Sequence, residues 1–280
     1  LFDNGNYAIA DDFESRYYDL TRERLGLTYD IDYRLSDDTS LFANILWNEY
    51  VDSELRYKDE YRMRDDQTDV TATGSTITEI RRDAEVRVRE EVRTIRTFIL
   101  GGNTYINNGR ILDGWDAEFA LTSSFAEEDD TDNVDAKFRS STFDADDCGG
   151  PCGYFDYSDP KRPYMVLTPG AQAIYDPSEL GVDEIEEEES VIQDTESSIK
   201  VDFTKDGFEV MDTPTTVKFG VKYSTREKEK NVEGYGWEPD TTQADYNPNL
   251  SPLNWPWPTR FGPMADPATI YALQGTFGPY

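Results

Sequence analysis

The chain has 280 residues, with 58 acidic against 27 basic, no histidine and a net charge of −31. That balance excludes a nucleic-acid binder, because no basic stripe could outweigh it, and it disfavours charge-driven docking to an anionic membrane surface. A hydrophobic fraction of 37% beside such charge would suggest disorder, but 13% aromatic residues argue against disorder along the whole chain.

No apolar run approaches the length of a membrane helix. No signal peptide is visible, and the first residue is Leu, so the start reads as a cut point. A closed barrel needs no helix, because its strands satisfy every backbone group in lipid.

The first strong signal is alternation with period two. Leu25, Leu27, Tyr29, Ile31, Tyr33 and Leu35 take odd positions, with Gly26, Thr28, Asp30, Asp32 and Arg34 between them. A turn is expected at Ser36–Thr39, after which Leu41, Ala43, Ile45, Trp47 and Val51 continue on odd numbers. Directly opposed residues of an antiparallel hairpin share a face and have numbers that sum to a constant. An even constant lets Leu35 meet Leu41 and Tyr29 meet Trp47.

A polar stretch, Asp52–Glu85, comes next. "RRDAEVRVREEVRTIR" carries Arg81, Arg82, Arg87, Arg89, Arg93 and Arg96. These could meet an anionic ligand; pairing with Glu and Asp across strands is the preferred reading. "VRTIRTFILGGNTY" is ambiguous. Its odd set is Ile95, Thr97, Ile99, Gly101 and Tyr105, and its even set includes Phe98 and Leu100. Pairing with the next strand favours the odd set, and a bulge would reverse that choice.

A tight connector at Asn107–Arg110 leads to Trp115, Ala117, Phe119, Leu121 and Phe125 on one face. "EEDDTDNVDAKF" (Glu127–Phe138) superficially suggests calcium but lacks the Gly and terminal Glu of a helix–loop–helix site. It reads as a solvated loop, with loop-bound calcium as the alternative and no other cofactor or metal expected. In "DDCGGPCGY", Cys148 and Cys152 are expected to form a disulfide in an oxidising compartment. A zinc site would need further ligands and there is no histidine.

"VDEIEEEESVIQDTESS" (Val182–Ser198) reads as a solvated strand extension rather than a cation trap. Ile199, Val201 and Phe203 then share parity with Val217, Phe219, Val221 and Tyr223 across the connector Lys205–Pro214. The last long segment holds Tyr235, Trp237, Trp255 and Trp257. They are candidate ligand contacts, because aromatic loop tips stack on sugars or siderophore rings; self-packing of a large loop is the bland reading.

Short turns thus alternate with long polar stretches, the pattern of a membrane barrel with turns on one side and loops on the other. Leu25–Leu35 matches the ~9–11 tilted residues that cross the hydrocarbon. The expected fold is all-β: an antiparallel transmembrane barrel segment of about six strands. Hairpins are expected near 22–64, 86–126 and 190–224, with long loops at 65–85, 127–189 and 225–280. The residues expected to face lipid are Leu25, Leu27, Tyr29, Ile31, Tyr33, Ile45, Trp47, Phe119, Leu121, Val201, Phe203, Val217, Phe219 and Val221. Tyr29, Tyr33 and Trp47 suit interfacial girdles, and Asp30, Asp32, Asn44 and Asn48 would line a watery interior.

"RLGLTYDIDYRLSDDTSLFANILWNEYVDSE", "RTFILGGNTYINNGRILDGWDAEFALTSSFAEE" and "SSIKVDFTKDGF…TPTTVKFGVKYSTREKEK" resemble, in that order, barrel hairpins of TonB-dependent outer-membrane receptors. The resemblance covers roughly residues 20–230. It implies a 22-stranded barrel in a Gram-negative outer membrane, extracellular loops and a plugged lumen. It further implies import of a scarce nutrient of siderophore, cobalamin or oligosaccharide type, driven by the inner-membrane TonB complex acting on the plug. The chain shows no plug and no energy-coupling box, so it reads as part of such a barrel. No catalytic residues are expected, for there is no nucleophile–His–acid arrangement. The competing reading is a secreted, acidic, soluble β-domain for calcium-steadied binding or adhesion, with its apolar faces buried in a sandwich.

Overall fold

The computed structural model describes residues 2–4, 7–63, 67–107, 109–238, 250–251 and 260–277. Six long strands form one antiparallel sheet: β1 (Asp12–Arg34), β2 (Thr39–Arg62), β3 (Arg81–Ile106), β4 (Trp115–Ser140), β5 (Leu180–Val210) and β6 (Thr213–Trp237). Their order across the sheet follows the chain, so β1 and β6 are edges with one neighbour each among the described residues. The all-β antiparallel expectation holds in this form.

Short turns join the strands at one end. Leu35 and Ser36 donate their N–H groups to Thr39 O at 3.0 and 3.1 Å. The β5–β6 turn is the pair Met211–Asp212, both in the left-handed region at φ 51° and 63°, the geometry that matches strand twist in a two-residue hairpin. It is much tighter than the connector expected over Lys205–Pro214. Gly207, at φ 86°, sits in a bulge between Lys205 and Phe208. That bulge swings Phe208 towards Trp115, 6.3 Å away between ring centroids.

The β1–β2 register has the expected even parity, but shifted: Tyr33 pairs with Leu41 and Leu27 with Trp47. Leu35 lies in the turn, so its expected pairing with Leu41 and that of Tyr29 with Trp47 are corrected. In β3 the favoured odd set is overturned. Phe98 pairs with Ile45 and Leu100 with Ala43 and Leu121, placing the even residues on the apolar face. The cause is that both neighbours pair with β3 through odd constants. The Gly101–Gly102 pair accommodates this packing. A Cβ on Gly101 would lie 2.4 Å from the Phe42 ring, and one on Gly102 would lie 2.9 Å from the Phe119 ring. Each glycine therefore gives a neighbouring ring its place on opposite faces of the sheet.

Above Phe125 and Val92 the strands run on, well past the expected hairpin boundaries. Arg81–Glu85, Glu127–Ser140 and Thr225–Trp237, expected in loops, belong to strands, while Val182–Ser198 lies in β5 as the strand extension expected of it, although the loop bound at 189 is overrun. A bulge in β4 opposite Glu91, between Asp129 and Asp132, inverts the phase of the strand. Odd residues are apolar below it (Phe119, Leu121, Phe125) and even residues above it (Val134, Ala136, Phe138). A second bulge, between Val182 and Glu184, re-phases β5 likewise.

The upper apolar face is covered. Tyr57, Ala84, Val86, Val134, Ala136, Phe138, Val182 and Ile185 pack with Phe261, Met264, Ala265 and Ile270 of the segment 260–277. That segment includes a helix, Pro267–Phe277. Asp266 caps it, accepting from Thr269 N at 2.8 Å and from Thr269 Oγ1 at 2.9 Å.

The β2–β3 and β4–β5 connectors also meet. Gly74–Ile77 from the first pairs with Gly153–Asp156 from the second, and Gln67–Thr68 and Tyr164–Leu167 flank them in a four-stranded sheet. This cap has its own core, including Met63, Ile77, Ile80, Phe155, Ile174 and both cysteines. Cys148 and Cys152 are disulfide-bonded, as expected.

Candidate functional site: an apolar band beneath a charged wall

The pairing registers place every residue expected to face lipid on a single face of the sheet. Phe98, Leu100, Trp115 and Tyr223 join them. This band is not sealed beneath another sheet. Leu27 is 61% exposed, Tyr29 62% and Val221 71%. Asp30, Asp32, Asn44 and Asn48 occupy the opposite face, where Asn44 Nδ2 donates to Asp30 Oδ1 at 2.5 Å. At the top of the band, Trp47, Arg96 and Phe125 lie in one row, with the Arg96 guanidinium 5.9 Å from the Phe125 ring centre.

Above the band, the polar face becomes a continuous ladder of ions. Lys58 of β2 lies 3.3 Å from Glu85 of β3, and Arg56 bonds both Glu85 and Asp135. Arg87 reaches Asp135 at 2.7 Å, Arg89 reaches Asp130 at 3.0 Å and Arg93 reaches Glu128 at 3.0 Å. On the far side, Arg139 bridges Asp83 at 3.2 Å and Asp183 at 2.6 Å, and Lys137 holds Glu184 at 3.0 Å. Of the arginines in "RRDAEVRVREEVRTIR", Arg87, Arg89 and Arg93 pair across strands on the polar face, Arg81 pairs with Asp83 of its own strand, and Arg82 and Arg96 point to the apolar face. Burial pushes the Glu85 carboxyl up, but Lys58 and Arg56 more than offset it and hold the group below its ordinary range.

Arg82 forms a fully buried junction that sequence reasoning missed. Its side chain and that of Asp59 are both 0% exposed, with Arg82 Nε donating to Asp59 Oδ1 at 2.6 Å. Arg82 Nη2 donates to Pro263 O at 2.8 Å, and Gly262 N donates to Asp59 Oδ2 at 2.7 Å. The Tyr61 hydroxyl donates to Asp59 at 2.8 Å, and burial keeps that phenol neutral by raising its pKa. The Arg260 guanidinium lies 4.1 Å from the Tyr175 ring centre, tying the same segment to the cap. The signal was present in the sequence: Arg82 shares the even phase of Ala84, Val86 and Val88.

The ladder opens at the β6 side into a depression of about 610 Å³, lined by Arg87, Arg89, Asp130, Asn133, Glu186 and Gly234, among others. Gly234 and Gly236 leave this part of the wall bare, with no atom within 4 Å of a Cβ on Gly236. Burial and the neighbouring Glu184 raise the Glu186 carboxyl. The depression is therefore lined by paired ions and hydrogen-bonding groups.

The aromatic ligand candidates separate. Trp237 packs against the upper apolar core, which is the self-packing reading. Tyr235, also on the apolar side, donates its hydroxyl to Glu233 at 3.0 Å. Trp255 and Trp257 lie outside the described residues. Glu127–Phe138, read as a solvated loop with bound calcium as the alternative, is strand, and no group of three or more acidic or Cys side chains is placed to hold a metal among the described residues. No protein-family model and no curated protein matches the chain.

Proposed function

We propose that the chain is part of the barrel wall of a TonB-dependent outer-membrane receptor. In this reading the apolar band meets lipid, the ion ladder faces a watery lumen, and the cap stands on the extracellular side. Ligands of siderophore, cobalamin or oligosaccharide type pass the charged wall, and the TonB complex supplies energy through a plug. One observation carries the proposal: six consecutive strands expose a continuous apolar face at one level, while the opposite face at that level is mainly polar, interrupted by Phe42, Leu46, Ile95 and Ile99 in β2 and β3. The dimensions agree. From Trp115 to Phe125 the band extends roughly 33 Å along the strand, or roughly 25 Å in projection at the usual tilt, the height of an outer-membrane apolar band. Short turns at one end and long connectors at the other fit the same arrangement.

The test is quenching by brominated acyl chains. Reconstituted into such vesicles, the chain should lose tryptophan fluorescence, and replacing both Trp47 and Trp115 with Phe should remove most of the quenchable share. A chain that stays in water with its fluorescence intact would favour the soluble β-domain instead.

A further inference from the structure

Strand β6 sorts its charges by face. Arg226, Lys228 and Lys230 lie on the polar face of the sheet, and Glu227, Glu229 and Glu233 on the other. On its paired side, β5 answers the cations. Asp194 stands opposite Lys228 and Glu196 opposite Arg226, and Arg226 Nε donates to Asp194 at 2.8 Å. Lys228 and Lys230 make no ion pair among the described residues, although the chain carries a large excess of carboxylates.

The other edge of β6 is unpaired among the described residues, and three of the devices that blunt an edge, shortness, a bulge and an internal proline, are absent from it, which leaves its charges as the only selector of what may pair there. The strand runs 25 residues, its ladder from Val217 to Trp237 has no register shift, and its one proline is Pro214 at the start. We infer that this edge receives a further antiparallel strand of matching sign pattern: carboxylates on the face of Lys228 and Lys230, cations on the face of Glu227 and Glu229. Directly opposed unlike charges stabilise a strand pair and like charges destabilise it.

The same rule excludes β1, whether from this chain or from a second copy. Just above the band, β1 carries Arg22 and Arg24 on the polar face and Glu23 on the other. It is sorted as β6 is, so levelling the two apolar bands sets cation against cation and Glu23 against Glu227. The occupant is therefore a strand of opposite sorting. The sign pattern of the occupant concerns residues above the band alone, while the exclusion of β1 rests on the proposed reading that sets the two bands level.

Two labelled peptides, each roughly 10 residues and so of ordinary strand length, test it by fluorescence anisotropy on the full chain at about 0.15 M salt, where distant charges are screened. One alternates Thr with Glu, the other Thr with Lys. Both should bind, each in the register that sets its charges against the matching face of β6. Lys228→Glu/Lys230→Glu should weaken the Glu peptide about tenfold and spare the Lys peptide; Glu227→Lys/Glu229→Lys should do the reverse. All four positions are exposed, so the variants should keep the parent circular dichroism. If the Glu peptide does not bind, the lysines serve to repel strands and the inference fails. It fails equally if the variants leave both affinities unchanged, or if light scattering shows the chain associating with itself through β6.

Discussion

Asp59 and Arg82 hold the protein together from inside a dry site, and a buried ion pair has a particular liability. Removing one partner leaves the other charge unpaired, at a cost of about 3–5 kcal/mol. Asp59→Ala should therefore lower the urea midpoint sharply and expose the segment 260–277 to protease. Gly262 is constrained for a different reason, since a Cβ there would lie 2.2 Å from the Arg82 guanidinium. Gly262→Ala should cost about 1–3 kcal/mol through overpacking, read in the same unfolding experiment. Glu85 has a pH signature. Its folded pKa is depressed, so its contribution is complete above the ordinary carboxylate value of 4.5 and is lost as pH falls through the lower folded value. Glu85→Gln should flatten the acid limb of the stability profile in that window and leave neutral pH behaviour unshifted in slope.

The strands show what a period-two reading can and cannot reach. The co-facial set from Leu25 to Tyr33, and its partners in β2, β4, β5 and β6, was legible because side chains alternate strictly and parity survives a shift by two residues. Register itself was not legible: Tyr33 rather than Leu35 meets Leu41, a matter decided by turn geometry. β3 was misread because its apolar residues sit on even numbers between odd-phased neighbours. The upper core escaped notice because the β4 bulge moves the apolar phase onto Val134, Ala136 and Phe138, inside a run dominated by acids. That bulge makes a firm prediction. Deleting the one residue between Asp130 and Asp132 should remove the bulge yet keep Glu90 opposite Asp132 and Phe138 opposite Ala84, so the upper core should survive and the sheet should still fold, read by an unchanged circular dichroism spectrum. The cap depends on a different constraint. The Cys148–Cys152 bridge spans a sequence separation of 4, and closing so short a loop contributes about 2 kcal/mol by chain entropy. Reduction should loosen the cap, seen as faster amide exchange at Gly153–Asp156, while β1–β2 keeps its protection.

At the scale of the molecule, two chemical climates share one sheet. The band is apolar on one side and mainly polar on the other; the wall above it is apolar only where the cap and the segment 260–277 lie on it. Sequence reasoning found the first climate because it repeats in every hairpin. It could not find the second, because the long connectors that cover the wall are far apart in the chain and meet only through their fold. The meeting of those connectors has one more consequence. The turn between Ile106 and Trp115 is the sole covalent link between a front half, β1–β3, and a rear half, β4–β6. Each half also owns two of the four cap strands, which pair across the divide. Nicking the backbone in that turn should therefore leave both pieces clasped by the β3–β4 ladder at one level and the cap at another. Co-expressed as separate polypeptides, the halves should find each other and rebuild the same object, making this turn the natural seam for a split version of the protein.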